Sequence, residues 1–209
     1  MPLAAEERNM GVGPLFISRV IAFLVIVLFL SARTPAETFT TLRGALEEVA
    51  AKYQIQVGLE YAINDKDLQP TTLDLSAKSV DTVLTQLINQ KTDYAWSFAD
   101  NVYDVYPKSN SDSILDVKIH EFIAKKLSSK NTADLVGQIP EIKEWLITRS
   151  VSRREFQIGP SAPSEKLATV ALNNVSFRTL LNTVIRQFGI VDWVVVRYGE
   201  NQEYIGIYF

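Results

Sequence analysis

The chain has 209 residues, 47% of them apolar and 22% charged, a balance that supports one ordinary domain or two small ones and does not describe a disordered chain. It contains no cysteine and a single histidine, His120, which excludes disulfides, thiolate chemistry, cysteine-rich zinc sites, the acylated cysteine of a lipoprotein and a histidine metal cluster. The net charge is −3 and the basic pairs are confined to Lys125-Lys126 and Arg153-Arg154, so nucleic acid is not an expected partner.

Residues 1–36 read differently from the rest. VIAFLVIVLFL, Val20 to Leu30, is an uncharged run of 11 residues preceded by Arg19 and followed by Ser31 and Ala32. A bilayer crossing needs about 20 apolar residues, whereas the apolar region of a signal peptide needs about 7 to 15. Extending the run backward through Leu15, Phe16 and Ile17 would bury Arg19 at a cost of roughly 2.5 to 3.5 kcal/mol. The expectation is a cleaved signal peptide, with an inner-membrane anchor over residues 15–32 as the alternative. Translation starting at Met1 or at Met10 fits either. Both place the chain from residue 37 onward in the periplasm, without membrane contact once the signal is cleaved.

From there the elements run in order. Leu42, Ala45 and Val49 are spaced for a helix ending near Tyr53, followed by a strand over Ile55 to Tyr61 and a loop, NDKDLQP, Asn64 to Pro70. TLDLSAKS alternates as a strand before a second helix. In that helix Val80, Val83, Leu84, Leu87 and Ile88 form one apolar stripe, and Ser79 stands at the capping position. Tyr94 to Phe98 and Val102 to Tyr106 read as a hairpin turning through Ala99-Asp100-Asn101. PKSNSDS, Pro107 to Ser113, is a polar linker. ILDVKIHEF, Ile114 to Phe122, is a strand with no counterpart in the first half, and NTADLVGQIPEIKEWLITR is a long helical stretch interrupted by Pro140.

The remainder repeats the first half. SVDTVLTQLINQKTDYAW, Ser79 to Trp96, returns as SFRTLLNTVIRQFGIVDW, Ser176 to Trp193, always 97 positions on, with six of 18 positions identical where roughly one is expected from composition. The same offset carries Leu42, Ala45 and Val49 to Ile139, Ile142 and Leu146, Leu59 and Tyr61 to Phe156 and Ile158, and Leu73 and Leu75 to Val170 and Leu172. GPSAPSEK, Gly159 to Lys166, is a loop matching the first one. Val191 to Tyr198 and Glu203 to Phe209 form a second hairpin through Gly199-Glu200-Asn201. The expected fold is α+β: two tandem small modules of βαβ-like halves, with helices packed on short mixed sheets. Module 1 covers 37–108, the linker 109–113 and module 2 114–209, with the boundary near residue 112.

TLRGALEEVAAKYQIQVGLEYAIN, continued by PTTLDLSAKSVDTVLTQLINQKTDYAWSFADNVYDVYP, resembles the short N-terminal domain shared by secretins and TonB-dependent receptors, over about 40 to 107 and more weakly 132 to 209. In that family a helix carrying ALxxLA is followed by a strand, a strand ending like LDLSAKSV, a helix with ALxxLL and two strands around a turn. The resemblance implies a periplasmic α+β module that works through protein contacts. Its partners would be a secretin, a TonB-dependent receptor or an anti-sigma regulator, and no catalytic residues come with it. Both families continue into a large barrel or secretin core and this sequence stops at Phe209, so receptor or channel function is not carried over.

Candidate sites are few. His120 neighbours Glu121, but adjacent strand residues point to opposite faces. Asp65 and Asp67 lie in a loop, and Asp100 and Asp104 flank a hairpin, both in the manner of turn and surface aspartates. No glycine-rich phosphate loop, nucleophile elbow, HExxH or calcium-loop spacing is present, so no catalytic residue, cofactor or metal is expected. EYIGIYF reads as the last strand of the second module and not as a barrel strand, since a membrane barrel must close every edge. Tyr94, Trp96, Tyr103 and Tyr106 concentrate aromatics on the first hairpin, with Tyr94 and Trp96 on one face, either packed on the helix before them or lining a partner groove.

These readings favour a non-enzymatic periplasmic adaptor of a cell-envelope system of secretin or TonB-dependent type. Its expected partner-binding residues are Tyr94, Trp96, Asp100, Asn101 and Asp104, the three polar ones facing outward. A periplasmic binder of a small molecule or cell-wall glycan is the alternative, and a carboxylate hydrolase acting on envelope polymers a weaker one.

Overall fold

The structure, a computed structural model, describes residues 36–39, 41–62, 69–109, 112–151, 153–157, 166–198 and 204–209. The leader or anchor, the Asp65 and Asp67 pair, most of both expected loops and the Gly199-Glu200-Asn201 turn lie outside the described residues. Among the described residues no helix is long and apolar enough to cross a membrane.

The first half runs β1 (Glu37–Phe39), α1 (Leu42–Tyr53), β2 (Val57–Ala62), β3 (Thr71–Leu73), α2 (Val80–Gln90), β4 (Tyr94–Ala99) and β5 (Val102–Pro107). After a 3-10 turn at Ile114–Asp116 the second half runs β6 (Lys118–Ser128), α3 (Ser129–Val136), α4 (Pro140–Thr148), β7 (Arg153–Gln157), β8 (Leu167–Ser176), α5 (Phe177–Phe188), β9 (Asp192–Tyr198) and β10 (Tyr204–Tyr208). The class is α+β.

Local chemistry sets the boundaries. Thr41, Ser79 and Ser176 cap α1, α2 and α5, each accepting from a backbone N–H three residues on, at 3.0, 3.3 and 3.1 Å, which satisfies donors that a helix start leaves free. Helix α1 ends on left-handed Gln54 and α5 on left-handed Gly189, with φ of 54° and 68°. The stretch interrupted by Pro140 resolves into two helices. Ser128 and Asn131 form a capping box at the start of α3, and Pro140 opens α4, where a missing N–H costs nothing. Helix α4 therefore answers α1, and α3 is an addition peculiar to the second half.

Strand pairing repeats between the halves. Strand β1 pairs antiparallel with β3, and β6 with β8. The lone strand expected at Ile114–Phe122 therefore has a three-residue counterpart in β1. In each half the hairpin's second strand also takes the strand after the first helix as a parallel neighbour, β5 with β2 and β10 with β7.

The halves do not stand as two bodies with a boundary at 112. Residues 36–209 form one compact unit, because β2 pairs in parallel with β9 from Val57↔Asp192 to Ala62↔Arg197. The result is one six-stranded sheet in the order β4-β5-β2-β9-β10-β7. A core lies on each face. Helices α1 and α2 cover Leu59, Tyr61, Tyr94, Val105, Val194 and Val196 on one side. Helices α4 and α5 cover Val102, Trp193, Val195, Ile205 and Ile207 on the other. Strand directions reverse between the halves while the spatial order of hairpin and inner strand is kept. A half-turn about an axis lying in the sheet and crossing the strands, with a step of three strands or ~14 Å, therefore relates their strand frameworks.

The joint is reinforced from several sides. Val57 donates its N–H to the Val191 carbonyl at 3.0 Å, and the Gln56 amide donates to the Ile185 and Ile190 carbonyls at 2.8 and 2.6 Å. Gly58 lies under the Trp193 ring, where a Cβ would sit 2.2 Å from the ring Cζ2 and 2.5 Å from Asp104 Oδ1. Gly58→Ala should destabilise the whole unit by about 1 to 3 kcal/mol through overpacking. Leu84→Ala, which empties a fully buried position in α2, should cost about 2 to 5 kcal/mol. Denaturant unfolding checks both, with a single transition expected because the halves share a sheet.

Candidate functional site: the terminal hairpin and the polar cluster behind it

The β4–β5 hairpin ends the sheet. Asp100 and Asn101 both adopt positive φ, 54° and 60°, the geometry of a two-residue turn whose twist matches the flanking strands and which short polar residues tolerate. Both are exposed. Strand β4 pairs with β5 on one side, from Tyr94↔Pro107 to Ala99↔Val102, and among the described strands none lies on its other side.

Of the aromatics expected to share one face, Tyr94 is buried against α1 and α2, and Trp96 is half-buried beside them. The Trp96 ring leans inward, toward β5, with its centroid 6.0 Å from that of Tyr103, and Phe98 stacks 4.6 Å from the same ring. Phe98 is 54% exposed on the open strand. It belongs to the same alternation as Tyr94 and Trp96.

Asp104 corrects the expectation of an outward residue. It is fully buried, because the face of β5 that it shares with Val102 and Tyr106 is covered by α5 of the second half. Its Oδ2 accepts from Asn182 Nδ2 at 3.3 Å and lies 3.9 Å from Arg178 Nη1, while Asn182 Oδ1 accepts from Trp193 Nε1 at 2.6 Å. Glu60 of β2, also buried, lies 3.6 Å from Arg197 and 3.9 Å from Arg178, and its Oε1 accepts from the Ser113 hydroxyl at 2.7 Å. The Arg178 guanidinium sits 5.1 Å from the Tyr106 ring centre. Two carboxylates of the first half are thus held by two arginines and an asparagine of the second. Asp104 Oδ1 and Arg178 Nη1 are buried without a hydrogen-bond partner.

A polar cavity of about 280 Å³ opens beside this cluster, lined by Glu60, Ser97, Tyr106, Lys108, Ser113 and Arg178 among others. Sequence reasoning missed Glu60, Arg178, Asn182 and Arg197. The one available signal was an acid inside an otherwise apolar strand, VGLEY or VYDVY. His120 is far more exposed: its Nδ1 lies 2.9 Å from Glu141 Oε1 at the start of α4, a surface pair, and its sequence neighbour Glu121 is not its partner. No group of three His, Cys, Asp or Glu that could hold a metal occurs among the described residues.

Compared with known proteins, the chain matches no family model, no curated protein and no solved structure.

Burial pushes the Asp104 carboxyl up to about 6, with Arg178 and the Asn182 hydrogen bond opposing it. Glu60 is raised for the same reason, opposed by Ser113 and both arginines. An acid whose pKa is higher in the folded state holds its proton there more readily. Its contribution to stability is therefore greatest below the unfolded value near 4 and declines as pH rises toward 6. Asp104→Asn removes that dependence. Wild type should lose stability relative to the variant between pH 4 and pH 6, by on the order of 2 to 3 kcal/mol, and then run parallel to it. Urea midpoints across that range check the sign.

Proposed function

We propose that this chain is a non-enzymatic interaction module of the bacterial cell envelope, exported by its leader to the periplasm, which holds its partner by completing the open edge of β4. The observation that supports this reading most directly is internal. Strand β9 holds the position in the second half that β4 holds in the first, and β9 takes β2 as a parallel neighbour over six residue pairs. The outer N–H and C=O groups of β4 present the same backbone pattern to a second chain. An added strand gains main-chain hydrogen bonds there, while side-chain contacts supply selectivity. Phe98, with more than half its surface exposed on that edge, offers an apolar contact, and the Asp100-Asn101 turn frames one end. The resemblance to the short N-terminal domain of secretins and TonB-dependent receptors adds the class of partner: a secretin, a TonB-dependent receptor or an anti-sigma regulator.

A second reading, a periplasmic binder of a small molecule or glycan fragment, draws its support from the polar cavity beside Arg178 and Lys108. The two make different demands on the same protein. Photo-crosslinking probes at Phe98, Asp100 and Asn101 in envelope preparations should capture an envelope protein under the first reading, whereas a probe on exposed Glu48 of α1 should not. Protection of the cavity by muropeptides, with no protein captured at the hairpin, would replace the adaptor by the binder. Asp104→Asn should leave capture intact, since Asp104 faces away from the edge.

A further inference from the structure

The order β4-β5-β2-β9-β10-β7 is one three-strand pattern used twice: hairpin strand, its partner, inner strand. The joint between the halves places the inner strand of the first, β2, against the hairpin strand of the second, β9. The two ends of the sheet are then the hairpin strand of the first half, β4, and the inner strand of the second, β7. These are the same two kinds of edge that the internal joint brings together. We propose that a second copy of this chain is a partner of the β4 edge, docking by its β7 strand, in parallel and head to tail. This rests on the reading of β4 as a strand-accepting edge.

The internal joint supplies the strand direction, and the repeat offset of the sequence gives the register to test. Moving its pairs by the 97-residue offset that relates the halves converts Val57↔Asp192, Gly58↔Trp193 and Glu60↔Val195 into Arg154↔Ala95, Glu155↔Trp96 and Gln157↔Phe98. The hydrogen bond from Val57 N to Val191 O becomes one from Arg154 N to Tyr94 O. The steric difference at the Gly58 position is accommodated. Trp193 leans across its neighbour strand and requires glycine beneath it, and Glu155 stands in the place of that glycine. Trp96, however, leans the other way, onto Tyr103, so the edge in front of it has room for a side chain. Charge also agrees in sign: Arg154 comes beside the end of β4 that follows Asp93, and both are exposed.

The joint is heterologous, with different surfaces on its two sides, so it does not close on itself as a two-fold dimer does. Successive copies extend one sheet, with helices alternating between its faces. The new joint lacks the Gly58 and Trp193 contact and the buried Glu60–Arg197 pair, and Ala95 and Ser97 stand where the internal joint has Asp192 and Val194. Association is accordingly weaker than the internal pairing and depends on concentration.

Two single-edge variants of the full chain test this. Arg154→Pro removes the outward N–H of β7 and leaves β4 unchanged; Phe98→Lys puts a charge on the β4 edge and leaves β7 unchanged. In sedimentation equilibrium the wild type should grow past a dimer as concentration rises, each variant alone should stay monomeric, and an equimolar mixture of the two should stop at a dimer, near twice the 23.5 kDa of one chain. A wild type that stays monomeric throughout, or variants that dimerise alone, would overturn the proposal. Should Arg154→Pro unfold the chain, the absence of native cysteine allows a second route. Phe98→Cys mixed with Gln157→Cys should be joined by a short bifunctional thiol reagent, whereas Phe98→Cys alone or mixed with Lys52→Cys should not. Equal joining of all combinations overturns the register. Folded Arg154→Pro still exposes β4. If it captures an envelope protein while wild type never self-associates, this inference fails and the strand-accepting edge stands; if neither occurs, both fail.

Discussion

The parallel pairing of β2 with β9 makes one body of the two halves, and the rest of the architecture follows from it. Each half has only three strands for its main sheet, too few to bury two faces. Joined, they give a six-stranded sheet whose faces are covered by different helix pairs, α1 and α2 on one and α4 and α5 on the other. The joint is tight because one position is glycine: Trp193 fills the space a side chain at Gly58 would occupy, is wholly buried there, and turns its indole N–H to Asn182. That indole bond orients Asn182, whose amide meets Asp104, so the packing of the joint and the polar cluster behind the hairpin are one construction.

Much of this was legible in the sequence wherever the signal was local. The stripe Val83, Leu84, Leu87 and its echo Leu180, Leu181, Val184 are all buried. Ser79 and Ser176 cap the helices that carry them, and Asp100-Asn101 makes the turn. The offset of 97 also matched Leu42, Ala45 and Val49 to Ile139, Ile142 and Leu146, all six buried, across a stretch where an additional helix intervenes. Helix periodicity and turn chemistry depend on residues a few positions apart, and a single chain records them plainly.

What failed depended on distant pairing. Asp104 looked like a surface aspartate because nothing near it in sequence says that α5, more than 70 residues later, will lie across its strand. Glu60 lay unnoticed inside VGLEY for the same reason, and its partners Arg178 and Arg197 come from α5 and β9 of the other half. The short β1 escaped because three residues carry no periodicity. Buried acids matched by arginines from the other half are costly to desolvate and add little net stability, but they penalise any pairing that leaves one of them alone. In this chain Glu60 and Asp104 of the first half lie within 3.9 Å of Arg178 or Arg197 of the second.

The connection from Pro107 to the 3-10 turn at Ile114 holds the halves on one chain. Between separate molecules, a joint like β2 with β9 would form only as often as the two met. Tethered, each edge experiences the other at an effective concentration in the millimolar range, whatever the dilution of the protein. Sharing one chain therefore makes the inner contact permanent, and under the proposed self-association it leaves the outer edges, β4 and β7, answerable to abundance. Changing how much of the protein is made would then engage or release those outer edges without altering a residue.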